Sequence, residues 1–378
     1  MAYDITELDA LEHDLSQGTG NSLVQIDATH YILAYSGSGN DGYIKTFSVD
    51  GNYDITQIDE LEHDTTAGVY NSMVKISDTH YALAYTGGAS NYSYIKIFSV
   101  DGSYNITQVS SFQHLTGIAK GSLVSISSTL LAFAFADAAD NGVIKTFAIN
   151  GSYVVSQIDE LEHETSYSDD NSLILIDSTH LMLAYGGPAD ADNAQGFIKT
   201  FSVDSSADNI TELDSLLHDT GQGTQNSLVK LTDTHYALAY TYYSSLSNPA
   251  RIKVFSIDGS YDITQVSSLD ISSFGTANSL LAIDSEHLIL AYAGSGSDGF
   301  ISTFSIDGSY SVSLIDELEH DTTQGSANSL VLISEGYYIL AYAGSGNDGY
   351  IKTFNVDVPI TVSASPLIHH MAITGGLM

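Results

Sequence analysis

The pair Asn-Ser returns at residues 21, 71, 171, 226, 278 and 328, and Gly121-Ser122 fills the remaining gap. The spacings of 50, 50, 50, 55, 52 and 50 residues define seven repeats. A repeat of this length cannot bury its own apolar face and must stack on its neighbours. Each unit reads as four short strands. In the first they are Ser22 to Ile26, His30 to Tyr35, Tyr43 to Val49 and Ile55 to His63. Alternation supports the assignment: in Tyr31-Ile32-Leu33-Ala34-Tyr35 the large residues 31, 33 and 35 share one face, and Ile32 and Ala34 the other. Asp50-Gly51 after the third strand signals a hairpin. The fourth strand places Ile55, Ile58 and Leu61 three apart, which predicts a bulge.

Four strands in each of seven units predict an all-β, seven-bladed β-propeller of antiparallel four-stranded blades. The fourth-strand pattern occurs eight times, once more than the other three strands. The surplus N-terminal copy, residues 4–14, is expected to supply the outer strand of the last blade and so close the ring. Residues 1–357 then form the propeller. Residues 358–378 carry no charge and hold a degraded fourth-strand copy at Val362–His370. They are expected to be a tail that docks on a sister subunit or a larger assembly. The repeats resemble those of environmental bacterial and phage propellers and are loosely similar to FG-GAP-type repeats. That resemblance covers residues 1 to about 357 and implies fold more than function. The FG-GAP calcium loop Asp-x-Asp-x-Asp-Gly does not occur, and the absence of Trp removes the WD40 pattern.

A formal charge of −36, from 46 acids against 10 bases, argues against nucleic acid or an anionic membrane as partner. Without cysteine there are no disulfides, thiolate metal sites or Cys nucleophiles. No apolar run is long enough to span a membrane, and the N-terminus lacks the basic and apolar regions of a signal peptide. A virion or extracellular location is compatible with these features.

Eleven of the thirteen histidines occupy two repeated positions. His13, His63, His114, His163, His218 and His320 end the fourth strand; His30, His80, His180, His235 and His287 open the second. Equivalent positions are splayed around a ring, so structural hydrogen bonding is expected rather than metal binding. The serine of each Asn-Ser pair opens the innermost strand and is expected to satisfy turn backbone. The carboxylates of Glu60-Leu61-Glu62-His63-Asp64 recur in several blades and read as solvated surface rather than a catalytic pair. Asp190, Asp192 and Asn193 lack the full calcium pattern, so no metal or cofactor is assigned, nor any catalytic residue.

Loops that join strand four to the next strand one, and strand two to strand three, share one face of a propeller and vary most in length here. Binding residues concentrate on such loops. Tyr242, Tyr243 and the only arginine, Arg251, share the blade-five loop; Tyr92, Tyr70, Tyr167 and Phe274 add aromatics to the same face. Aromatic rings stack on sugars and anchor interfaces. The expected function is therefore a non-enzymatic binding propeller for a glycan or a protein, mounted by its tail in an assembly such as a phage virion appendage. The alternatives are a glycan-active hydrolase or lyase over the channel, and a purely structural spacer or decoration subunit.

Overall fold

The computed structural model describes residues 3–188, 194–204, 208–242, 249–271 and 275–358. They form seven four-stranded sheets, six of them ordered from the inner to the outer strand as the chain runs. The first blade comprises Thr19–Asp27, His30–Ser36, Gly42–Val49 and Ile55–Asp64. The last is completed by the N-terminal strand Ile5–Asp14, which pairs antiparallel with Gly349–Val356 from Ile5 opposite Val356 to Asp14 opposite Gly349. The ring is therefore closed by the two ends of the chain, as the surplus strand implies. Beyond Val358 the tail lies outside the described residues, and with it Val362–His370.

Each junction between neighbouring blades holds one apolar cluster. Tyr31, Leu33 and Tyr35 face the seventh blade, while Ile32 and Ala34 face the second. All five are fully buried. The alternation read from sequence thus sends the two faces of one strand into two different interfaces.

The expected fourth-strand bulge is present in every blade, and a second one accompanies it in six. In blade one Ile58 is the extra residue between Gln57 and Asp59, and His63 between Glu62 and Asp64. Ile55 is buried and Leu61 half-buried, whereas Ile58 is exposed. The second bulge re-aims the histidine into the blade junction. The Asp-Gly turn also forms, with a twist. Asp50 Oδ1 accepts the N–H groups of Asn52 at 2.7 Å and Asp54 at 3.0 Å. Tyr53, not Gly51, takes the left-handed conformation, at φ +68°.

That tyrosine matters because side chains at repeated positions tie each blade to the next. Tyr104 of blade two stacks on His30 of blade one at 3.5 Å between ring centroids, and Thr46 Oγ1 donates to Tyr104 O at 2.8 Å. Asp9, Asp59, Asp159, Asp214 and Asp316 each accept the first N–H of the next outer strand at 2.7–3.0 Å. Ser110 and Ser267 stand at the remaining two positions and donate to Tyr153 O and Tyr310 O. Buried lysines donate to the histidine carbonyl of the preceding blade, as Lys45 does to His13 O and Lys96 to His63 O. Glu60 and Glu62 are exposed, as expected of solvated surface, whereas Asp59, just before them, is a clasp and Asp64 accepts Tyr85 OH at 3.1 Å.

The fourth-strand histidines depart from expectation more sharply. Neither ring nitrogen of any of the six has a hydrogen-bond partner. The rings act as flat packing elements. His13 lies edge-on to Tyr35 at 4.9 Å and against the bare Cα of Gly349, where a Cβ would sit 2.5 Å from His13 Cε1. Burial, reinforced in each case by the nearby lysine, lowers five of these histidines, His13, His63, His114, His163 and His320, to about 3. His218 falls to about 3 for the same first reason.

Two predictions follow from closure and from these rings. Deleting residues 1–14 exposes the edge of the last blade, and cooperative thermal unfolding is expected to be lost; an unchanged melting curve contradicts the seam. The histidines are neutral in the fold but titrate near 6.5 when unfolded. Their contribution is fully present above that value and is lost as pH falls towards 3. At pH 5 each costs about 2 kcal/mol, so six together rival the stability of a typical domain. The melting midpoint should fall steeply below pH 6, and His163→Phe should remove about one proton from the uptake on unfolding. A flat profile from pH 7 to pH 4 refutes this.

Candidate functional site

Six of the seven innermost strands open with a bulge at the Asn-Ser pair, and blade three does not. In blade four, Asp169 faces Gly186 and Ser172 faces Ala184, leaving Asp170 and Asn171 in the bulge. The residue before each Asn takes positive φ: Gly20 +59°, Tyr70 +57°, Asp170 +50°, Gln225 +52°, Ala277 +54° and Ala327 +52°. Five of the six are not glycine, and that conformation is strained for them. The Asn amides hold the bulges closed. Asn71 Nδ2, for instance, donates to Gly68 O of its own strand and Gly20 O of the preceding blade. Each serine also bridges blades, as Ser22 Oγ accepts Met73 N–H at 2.9 Å. The serines satisfy backbone, as expected, but in the neighbouring blade rather than in their own turn.

Blade three pairs in regular register, with Lys120 opposite Ala136 and Gly121 opposite Phe135. A Cβ at 121 would lie 2.1 Å from Ala134 O, so without the bulge no Asn fits there. The exception is confined to blade three, whose residue before the pair is Lys120.

The seven residues before the repeated pair ring the mouth of the central channel, on the variable face. They are Gly20, Tyr70, Lys120, Asp170, Gln225, Ala277 and Ala327. Blades six, seven and one contribute only small residues. Blades two to five contribute one aromatic, one cation, one carboxylate and one amide in a continuous arc. All of the seven but Gly20 line a depression of about 440 Å³.

Within it Lys120 Nζ lies 3.5 Å from Asp169 Oδ2 and 5.4 Å from the centre of the Tyr70 ring. Tyr167 OH donates to Asp169 Oδ2 at 3.5 Å. Asp170 Oδ2 accepts Gln225 N–H at 2.9 Å. Gln225 Oε1 accepts the N–H of Ala277, which fixes the amide across the next junction. Burial, with Asp169 beside it, raises Asp170 to about 6. Burial acts to lower Lys120, but Asp169 and Tyr70 outweigh it and the amine is raised.

Of the residues expected to bind, Tyr70 and Tyr167 belong to this cluster. Tyr92 is half-buried at the start of the strand Tyr92–Val100. Tyr242 stacks under Arg251, 4.0 Å from its guanidinium carbon. Arg251 is held by Asp219 at 3.1 Å and Asp270 at 2.5 Å, bracing blade four to blade five. Tyr243 and Phe274 lie outside the described residues, as do Asp190, Asp192 and Asn193. No group of three or more metal-ligating side chains converges among the described residues. Lys120, Asp169, Asp170 and Gln225 escaped the sequence reading, although aligning the repeats on Asn-Ser exposes the variable position before it.

No protein-family model and no curated protein matches the chain. Solved structures do, and they share a propeller architecture. The periplasmic gluconolactonase of Pseudomonas aeruginosa is similar at 14% identity and TM-score 0.61, over 87% of this chain and 97% of that one. Sqt1 of Chaetomium thermophilum is similar at 13% identity and TM-score 0.56, over 89% and 82%. Sqt1 of Saccharomyces cerevisiae is similar at 10% identity and TM-score 0.58, over 94% and 100%. At such identities the likeness concerns the fold alone, and none of these comparisons shows an FG-GAP or phage relationship.

Asp170 also yields a stability prediction. A carboxyl raised from 3.8 to about 6 in the fold is destabilising once pH exceeds both values. Asp170→Asn, which keeps an acceptor for Gln225 N–H, should stabilise the protein at pH 7 by about 2–3 kcal/mol. The gain should vanish below pH 4. Denaturant titration at both pH values measures it; equal stability at pH 7 contradicts the assignment.

Proposed function

We propose that this protein is a non-catalytic binding propeller that takes a glycan at the mouth of its channel. One observation carries the reading. The repeat is broken at the channel mouth into an arc of four chemically different side chains, while the equivalent positions in the other three blades stay small. An exposed tyrosine offers a face for the apolar side of a sugar ring. Asp170, Gln225 and Lys120 supply acceptor, amide and donor groups for hydroxyls, the mixture of apolar surface and few polar groups that small-ligand sites use.

A hydrolytic reading has one observation in its favour. Asp169 and Asp170 are neighbouring carboxylates, and Asp170 retains its proton to unusually high pH, as a general acid requires. Product release from the glycan that binds decides between the two.

A glycan array probed with wild type and with Tyr70→Ala, Lys120→Ala and Gln225→Ala provides the test. Loss of the stacking face should weaken binding by about tenfold or more, a difference of about 1.4 kcal/mol, with melting little changed. Binding retained by these three variants but lost in Tyr242→Ala or Arg251→Ala moves the site to blade five. Release of sugar on long incubation replaces the binding reading with the hydrolytic one.

A further inference from the structure

We propose that the glycan unit held at the channel mouth carries a free primary ammonium group, for which Asp170 is the counter-ion; the inference rests on the glycan-binding reading above. The argument begins with where the chain's ten basic residues go. Six lysines are buried in the blade junctions, where their ammonium groups donate to histidine carbonyls. Lys75 and Lys230 pair with Asp78 and Asp233 on the opposite face. Arg251 is committed to Asp219 and Asp270. Only Lys120 reaches the channel mouth, and its ion pair is with Asp169.

Asp170 is thus left without a basic partner of its own. Its side chain accepts one hydrogen bond, from Gln225 N–H at 2.9 Å, and sits beside the like charge of Asp169. Burial first, and Asp169 second, raise its pKa, and together they outweigh the opposing pull of Lys120, whose own ion pair is with Asp169. A poorly solvated carboxylate with spare acceptor positions gains most from a charged donor that brings its own hydrogens. An ammonium group supplies three. The Tyr70 ring, already within reach of the Lys120 ammonium, presents the negative face that favours a cation over a neutral amide. The net charge of −36 also raises the local concentration of cationic ligands. N-acetylation removes the charge and two of the three donors, so an acetylated sugar cannot satisfy Asp170 in this way.

Calorimetric titration with the β-1,4-linked tetramer of glucosamine, its fully N-acetylated counterpart and an uncharged glucose tetramer tests the inference in wild type and Asp170→Asn. The amine form is expected to bind at least tenfold more tightly than the acetylated form in wild type. In Asp170→Asn the ratio should fall to near one, with folding verified by melting. A preference that survives in Asp170→Asn reflects bulk charge and overturns the inference. Equal or tighter binding of the acetylated tetramer also overturns it and leaves the glycan reading standing. Binding to none of the three, together with a silent glycan array, overturns the glycan reading itself.

Discussion

The structure depends on one requirement: seven sheets that cannot bury their faces alone must be held against one another all the way round. Apolar contact supplies attraction but little direction, since it scales with area rather than angle. Direction comes from side chains that reach backbone in the next blade. Ser22 accepts Met73 N–H near the channel, Asp9 accepts Ile55 N–H at the rim, and Lys45 donates to His13 O between them. Each is a polar group whose partner is a main-chain atom, so neither depends on the identity of the partner's side chain. That is why the pattern can be copied from blade to blade.

Two of the three gaps in the histidine series remove both members of a pair, and at the third Tyr337 stands for histidine and stacks on Tyr53 at 3.9 Å. Ile271 stands where the fourth-strand histidine of blade five would be, and at the position in blade six that carries lysine elsewhere there is Ser302. Ser302 and Tyr292 bond Glu317 instead. Leu130 replaces the second-strand histidine of blade three, and the turn of blade four that should present its stacking tyrosine has Asp208 near that place. Leu130 packs into the apolar junction of blades three and four.

The repeat made the fold legible. Its period gave the blade count, alternation in residues 31–35 gave the two buried faces, and the surplus strand gave the seam. The second-strand histidines hydrogen-bond as expected, His30 to Asp27 among them, but the fourth-strand set does not, because frequency does not reveal environment. Six rings at identical positions look like hydrogen-bonding elements, yet glycines such as Gly349 leave room for them to lie flat between blades. The candidate site was half-visible. Tyr70 and Tyr167 stood out as aromatics on the variable face. Lys120, Asp170 and Gln225 did not, because one variable residue per repeat becomes a cluster only when the ring closes and brings equivalent positions to a common mouth. Loop length was the more conspicuous signal, and it pointed to Arg251, which the fold uses as a brace.

The division of labour between repeated clasps and a varied channel mouth makes a positional claim that one measurement addresses directly: a crystal structure of the protein bound to the oligosaccharide it holds most tightly. The account predicts ligand density over the arc from Tyr70 through Lys120 and Asp170 to Gln225, with the Ser and Asp clasps undisturbed. Density at Tyr242 and Arg251, or on the face that carries the Asp-Gly turns, would contradict it.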